Sequence, residues 1–457
     1  MATPCMQSEL DLFKAPPVQV SVEGSQWVEV APLTSLNGGS TSTIEFVKAA
    51  SAEHFYDLSK TLFYVKCKIT KADGSDVGAM SKVAPVNNAL ASMFSQLDVT
   101  LNAERVASTS LNYPYKAYLE THLGSNKEAK SSILSGQLYL QDSNLSVNDP
   151  TPAKANANAA EPPSNPGLLQ RFEICGGSKA FEMLGRPNSD IFNVKRLLIP
   201  GVEIRMRFSR SNDSFCLIVP DKEDDEFQIN ILEAKVFFHR VDVSPSLALA
   251  IERTLDLKPA LYPMVRTETR VFHIASDRYD ATIDNLFGGE LPKRITLGMV
   301  KNKTYNGDYH ENPFNFEHFN LNKLVLYNDG ERTPWNELKL DYKNGDFLQG
   351  YYTLFTGGDG IDGESGNGIS RKDYLDGNVL FCFDLTPDQR AASVDHVSPE
   401  RRGNLRIDLG FSSPLPKTVN LIALCEFDTI LSIDKARNVS FDYTPPAIPA
   451  RVRSRGA

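Results

Sequence analysis

Val202-Glu203-Ile204-Arg205-Met206-Arg207-Phe208-Ser209 places apolar residues at 202, 204, 206 and 208, with charges at 203, 205 and 207. Successive side chains of an extended chain point to opposite faces, so this alternation predicts a β-strand with one face buried and one wet. The pattern returns two hundred residues later in Gly403-Asn404-Leu405-Arg406-Ile407-Asp408-Leu409-Gly410-Phe411-Ser412, and both copies follow a glycine, Gly201 and Gly403. The echo points to a chain built twice from one β-rich plan.

Working outward from these two strands, the first half reads as strands at 18–22, 26–30, 44–47, 63–69 and 97–101. A turn follows at 102–105 and a helix at 113–123. An Asn/Pro/Ala/Ser-rich stretch at 141–167 cannot bury a core and reads as a long surface loop or a partly disordered one. Strands resume at 181–184, 202–208 and 229–243, with the acidic run 221–226 as a solvated turn. A short helix at 245–253 and a linker at 257–263 separate the halves. The second half repeats the order: strands at 270–274, 294–300 and 321–327, then Asn328-Asp329-Gly330-Glu331-Arg332 where the first half has Asn102-Ala103-Glu104-Arg105. A helix near 346–355, a glycine-rich insert at 357–368, and strands at 379–385, 405–411 and 419–433 complete it. About eight short strands per half predict two β-sandwiches, of which a jelly roll is the eight-stranded form.

At 457 residues the chain fits two domains. Its formal charge of −9 argues against a body that binds nucleic acid, which needs a basic face. Met1 to Leu12 carries Glu9 and Asp11 and no apolar run, so no secretory signal is read there. No apolar stretch nears the roughly 20 residues of a membrane span. The cysteines lack a Cys-x-x-Cys pair, and Cys67, Cys216, Cys382 and Cys425 sit in apolar runs as small buried hydrophobes. That usage fits a reducing compartment.

Chemistry-bearing patterns are poor. His310-Glu311 and Glu317-His318 come closest to a zinc cluster but lack metal spacing. Gly357-Gly358-Asp359-Gly360-Ile361-Asp362-Gly363-Glu364 lacks the ligand order of a calcium loop. Gly176-Gly177-Ser178-Lys179 lacks the spacing of a phosphate-binding loop, and no Gly-x-Ser-x-Gly elbow occurs. No catalytic residue, metal site or cofactor is therefore expected. The end of the chain is proline-rich and then basic, with Arg451, Arg453 and Arg455. It reads as a solvated tail or as an arm that touches a neighbour or nucleic acid.

Several stretches resemble the major capsid proteins of Polinton/Maverick elements and the related adintoviruses. They are Ser8-Glu9-Leu10-Asp11-Leu12-Phe13 with Gln26-Trp27-Val28-Glu29, and Asn112-Tyr113-Pro114-Tyr115-Lys116-Ala117-Tyr118. Asn312-Pro313-Phe314-Asn315-Phe316, Phe383-Asp384-Leu385-Thr386-Pro387-Asp388 and Arg437-Asn438-Val439-Ser440-Phe441-Asp442-Tyr443 add to them. The resemblance runs from residue 8 to 443. It implies an all-β double jelly roll, two eight-stranded antiparallel sandwiches side by side with short helices and long loops. Its expected plan is an arm at 1–17, jelly rolls at 18–246 and 264–443, a linker at 247–263 and a basic tail at 444–457. It further implies a homotrimer that forms pseudo-hexagonal capsomers and tiles an icosahedral shell around double-stranded DNA. Minor or penton capsid proteins, and packaged DNA through the tail, are then partners, and the virion is the location. A minor vertex or cement protein would favour a single jelly roll. A carbohydrate-binding sandwich would need more stacking surface than Trp27 and Trp335 supply.

Overall fold

A computed structural model of the chain describes residues 18–36, 43–78, 81–102, 104–108, 112–150, 165–220, 226–287, 289–358, 366–392 and 397–442. Sixteen principal strands carry the fold. The first eight are β1 (Val22–Val30), β2 (Thr43–Lys48), β3 (Phe55–Lys71), β4 (Phe94–Leu101), β5 (Glu104–Ser108), β6 (Phe181–Gly185), β7 (Ile204–Arg210) and β8 (Phe227–Val243). The second eight are β9 (Ala260–Ile274), β10 (Asp280–Ile283), β11 (Arg294–Lys301), β12 (Leu321–Asn328), β13 (Glu331–Arg332), β14 (Leu380–Asp384), β15 (Leu405–Phe411) and β16 (Val419–Ile433).

Their pairing shows the duplication directly. The first set forms two sheets in the orders β1-β8-β3-β6 and β2-β7-β4-β5. The second forms β9-β16-β11-β14 and β10-β15-β12-β13, so each strand sits beside the same neighbours once eight is added to its number. Neighbours in all four sheets are antiparallel. Apart from the β4–β5 and β12–β13 hairpins, consecutive strands cross between the sheets of a pair, which is jelly-roll connectivity. The two alternating strands quoted first, β7 and β15, hold equivalent places, each second in its four-strand order.

Alternation does what it predicts. Ile204, Met206 and Phe208 are buried while Arg205 and Arg207 face solvent, and Leu405, Ile407, Leu409 and Phe411 are all buried. In the first sandwich the Phe208 ring stacks on Phe63 of the opposite sheet, with centroids 4.4 Å apart, and Phe46 and Phe94 pack around the pair. The β12–β13 turn uses Asp329 (φ 50°) and Gly330 (φ 89°), the paired positive angles of a two-residue hairpin. Asn102 (φ 53°) opens the corresponding turn after β4.

Four longer helices fill the connections: α1 (Tyr113–Gly124), α2 (Pro166–Cys175), α3 (Pro245–Leu255) and α4 (Leu348–Thr356). Three sequence readings need correction. Residues 18–21 are not strand, and β1 is one strand from Val22, because Val18 and Val20 are exposed and find no apolar partner. The stretch 257–263 is not wholly linker, since β9 begins at Ala260 and pairs through Pro263. Pro263 is tolerated because β9 is an edge strand, where a missing N–H need not break a ladder. The loop reading of 141–167 ends at α2, which Pro166 starts and the Asn165 side chain caps by accepting from Leu168 N at 3.3 Å.

Candidate functional site: the junction between the sandwiches

The predicted contact residues Arg451, Arg453 and Arg455 lie outside the described residues, as do 1–17, 151–164, 221–225 and 359–365. Among the described residues no group of three or more His, Cys, Asp or Glu is placed to hold a metal ion. The His310 region is structural. His310 Nδ1 meets Val219 O at 3.1 Å, Glu311 and Glu317 both pair with Lys301, and the His318 ring stacks on Tyr342. Cys67, Cys175, Cys216, Cys382 and Cys425 are buried free thiols, and burial pushes Cys216 up to about 12 and Cys382 up to about 11. Thiols so protonated are poor nucleophiles.

What the described residues build instead is a joint. Helix α1 follows β5 of the first sandwich and lies against the second. Its aromatic side chains repeat at Tyr115 and Tyr118, and it is apolar on most sides, the composition of a helix enclosed by protein. Tyr118 stacks on Phe314, centroids 4.1 Å apart and planes 3° from parallel. Tyr115 stacks on Tyr305 and meets Phe314 and Phe215 edge-on. Tyr305 donates to Asn112 Oδ1 at 2.9 Å, and Asn112 Nδ2 donates to Thr269 O at 3.4 Å on β9.

A charged layer flanks the aromatic one. Lys116 is buried, pairs with Asp190 and lies 3.7 Å from Glu120. Asp190 Oδ2 also accepts Thr267 N of β9 at 2.9 Å. Burial works against the Lys116 charge, but Asp190 and Glu120 outweigh it and raise its pKa. Glu120 is pushed up to about 7, first by burial, with Lys116 opposing and Asp190 and Glu426 reinforcing the shift.

A second clasp comes from the turn after β16. Arg437 donates to Pro200 O at 2.7 Å and pairs with Glu252 of α3, and its carbonyl accepts Asn102 Nδ2 at 2.7 Å. Gly201 (φ 85°) lies beside it, where a Cβ would come within 2.9 Å of Arg437 Nε. The glycine that precedes the alternating strand thus both turns the chain and admits this arginine. Tyr262 OH adds a third link, accepting Ile199 N and donating to Leu197 O, each at 3.2 Å.

Between these contacts runs a cleft of about 1090 Å³ lined by Glu120, Arg186, Lys293, Arg294, Glu426 and Asp428, among others. Its charges face partners within the chain: Arg294–Glu426 at 2.8 Å, Lys293–Asp428 at 2.7 Å, and Arg186 donating to Phe192 O at 2.7 Å. The arrangement fixes one sandwich against the other. Sequence reading found α1 as a helix but not its role, although its apolar residues on nearly every side were a usable signal.

No protein-family model matches the chain. An uncharacterized protein of Caenorhabditis elegans is 24% identical over 437 residues, covering 93% of this chain and 99% of that protein. Among solved structures, a chain in the cryo-EM structure of the Sputnik virophage aligns with a TM-score of 0.57 at 11% identity, covering 100% of this chain and 97% of that one. The Faustovirus major capsid protein aligns at 0.54 and 9% identity, over 93% of each chain. The mavirus major capsid protein aligns at 0.50 and 10% identity, over 98% of each. No helix among the described residues is long and apolar enough to cross a membrane. With jelly-roll connectivity in both halves and these alignments over nearly its whole length, the chain has the double jelly-roll fold of these capsid proteins.

Proposed function

We propose that this chain is a major capsid protein, three copies of which form a pseudo-hexagonal capsomer that tiles an icosahedral shell around double-stranded DNA. The observation that carries the reading is the repeat of strand order in two sandwiches locked into one block. Three such chains present six similar blocks, the shape a hexagonal tile requires. A tile acts by surface complementarity rather than catalysis, and modest contacts suffice when many act together. On this reading the two jelly-roll domains are joined by 247–259, with β9 opening the second at Ala260, and are flanked by the arm 1–17 and tail 444–457. The location is the virion, assembled inside the host cell, with minor or penton capsid proteins as further partners.

The test is the mass of the purified full chain by size exclusion with light scattering. About three times the 50.6 kDa of one chain is expected. A strict monomer at every concentration would overturn the reading, and electron microscopy of assembled particles extends the test. Arg451, Arg453 and Arg455 are proposed to contact a neighbouring capsomer or the packaged DNA. Deleting residues 447–457 is expected to impair assembly or packaging, and normal particles from the shortened chain would refute that role.

A further inference from the structure

The internal repeat leaves one face open whose counterpart is covered. In the second sandwich the outer face of β9-β16-β11-β14 is covered over its middle, while its Arg294–Glu426 end lines the cleft described above. Leu424 of that face, in register with Thr269 and Thr296, is only 4% exposed. The cover comes from the first sandwich: Asn112, at the start of α1, donates to Thr269 O, and Asp190, between β6 and β7, accepts Thr267 N. The equivalent outer face of the first sandwich belongs to β1-β8-β3-β6. Its cross-strand rows are Trp27–His239, Glu29–Phe237–Leu62 and Lys235–Tyr64–Leu184. These rows carry an apolar diagonal across all four strands, and Trp27 is 46% and Leu184 42% exposed.

The element equivalent to α1 is open as well. Helix α4 follows β13 as α1 follows β5. Its inward residues Gly350, Thr353 and Leu354 are buried, and Gly350 lies against Phe381 of β14. Its other side carries Leu348 (53% exposed) and Tyr352 (50%) at i and i+4, and half-buried Phe355 continues the stripe into the cleft between the sandwiches. Single exposed apolar residues are ordinary. Here the exposed groups lie on the two surfaces whose duplicates are buried against each other within the chain.

We propose that α4 of a second copy of this chain covers the outer face of β1-β8-β3-β6, repeating between chains the contact that α1 makes within one. This rests on the capsomer reading and names its interface. The two surfaces differ, so the contact is head-to-tail and each copy uses both. Such contacts make a closed ring or an open filament, and three copies with two sandwiches each close a ring of six. Every boundary in the ring then has one of two related forms.

The test substitutes one surface at a time in the full chain: Leu184→Glu on the sheet and Tyr352→Arg on the helix. Both side chains are half exposed, and an unchanged far-UV circular dichroism spectrum checks that the fold survives. By light scattering the wild type is expected near three times 50.6 kDa and each variant near the single-chain mass at the same concentration. Mixing the variants should restore a larger species, because each supplies the surface the other lacks and the altered pair brings Glu to Arg. If either charge unfolds the chain, Leu184→Ala and Tyr352→Ala serve instead, each expected to raise the concentration for half-assembly by about tenfold. Wild-type trimers with variants that remain trimeric at unchanged midpoints would overturn this interface while leaving the capsomer reading intact. A monomeric wild type overturns the capsomer reading, and this interface with it.

Discussion

Arg171 of α2 is fully enclosed, and its guanidinium is satisfied on every side. Nε donates to Pro85 O at 2.9 Å, Nη1 to Leu140 O at 3.2 Å, and Nη2 pairs with Asp142 at 3.0 Å. An enclosed ion pair is worth little against a well-packed apolar pair, but losing one partner strands the other charge. Arg171→Leu is expected to cost about 3–5 kcal/mol. Urea unfolding reads the loss, and adding Asp142→Asn should recover part of it. Glu120 gives the residue-scale pH prediction. Its proton is held up to about 7 in the folded chain against 4.5 for the ordinary carboxyl. Between those values the native state binds more protons than the unfolded state, so this group's stabilisation is present below 4.5 and lost as pH rises through 7. Its side chain keeps 23% of its surface in solvent, which limits the change to about 1–2 kcal/mol. Melting temperature should therefore fall more steeply between pH 5 and 7.5 in the wild type than in Glu120→Gln. Equal slopes would show that Glu120 is not the group responsible.

At the scale of elements, α1 does for the molecule what no strand does. Its Tyr118 ring, parallel to Phe314, joins cores that the strand ladders leave separate. Tyr118→Ala opens a cavity at the joint and is expected to cost about 3–5 kcal/mol, measured by denaturant unfolding. Tyr118→Phe keeps the stack and should cost under about 1.5 kcal/mol. The strands themselves were legible in sequence, because a half-buried strand writes its period into neighbouring residues. β7 and β15 stand out for that reason, and so does the Asn-Asp-Gly turn that ends β12. Boundaries were less legible where tertiary position decides them. Val18 and Val20 look strand-like yet lack a partner, and Pro263 looks like a break yet sits harmlessly on an edge. The joint was the least legible part. Lys116, Asp190, Thr267 and Glu426 come together from α1, a loop, β9 and β16, and no local spacing announces that meeting.

For the whole molecule, the question is whether two sandwiches behave as one body. Domains tied by a thin linker and a polar interface melt separately. Here the buried apolar residues of both halves form one continuous cluster, from Ile44 and Phe46 through Tyr118 and Phe314 to Leu431 and Ile433. The charged layer at Lys116 and the Arg437 clasp reinforce it from two sides. Calorimetry of the full chain, under conditions that keep the wild type and variants at the same oligomeric state, is thus expected to give one transition. Its calorimetric and van't Hoff enthalpies should agree. Weakening the joint twice, with Tyr118→Ala and Arg437→Ala in one chain, should broaden or split that transition, since each half keeps its own pair of sheets while losing what couples them. A core substitution such as Phe208→Ala costs a comparable few kcal/mol but lies within one sandwich, so it should lower the transition without splitting it. Two transitions already resolved in the wild type would mean the halves are loosely tied. A tile built from them would then have to gain its rigidity from neighbouring copies.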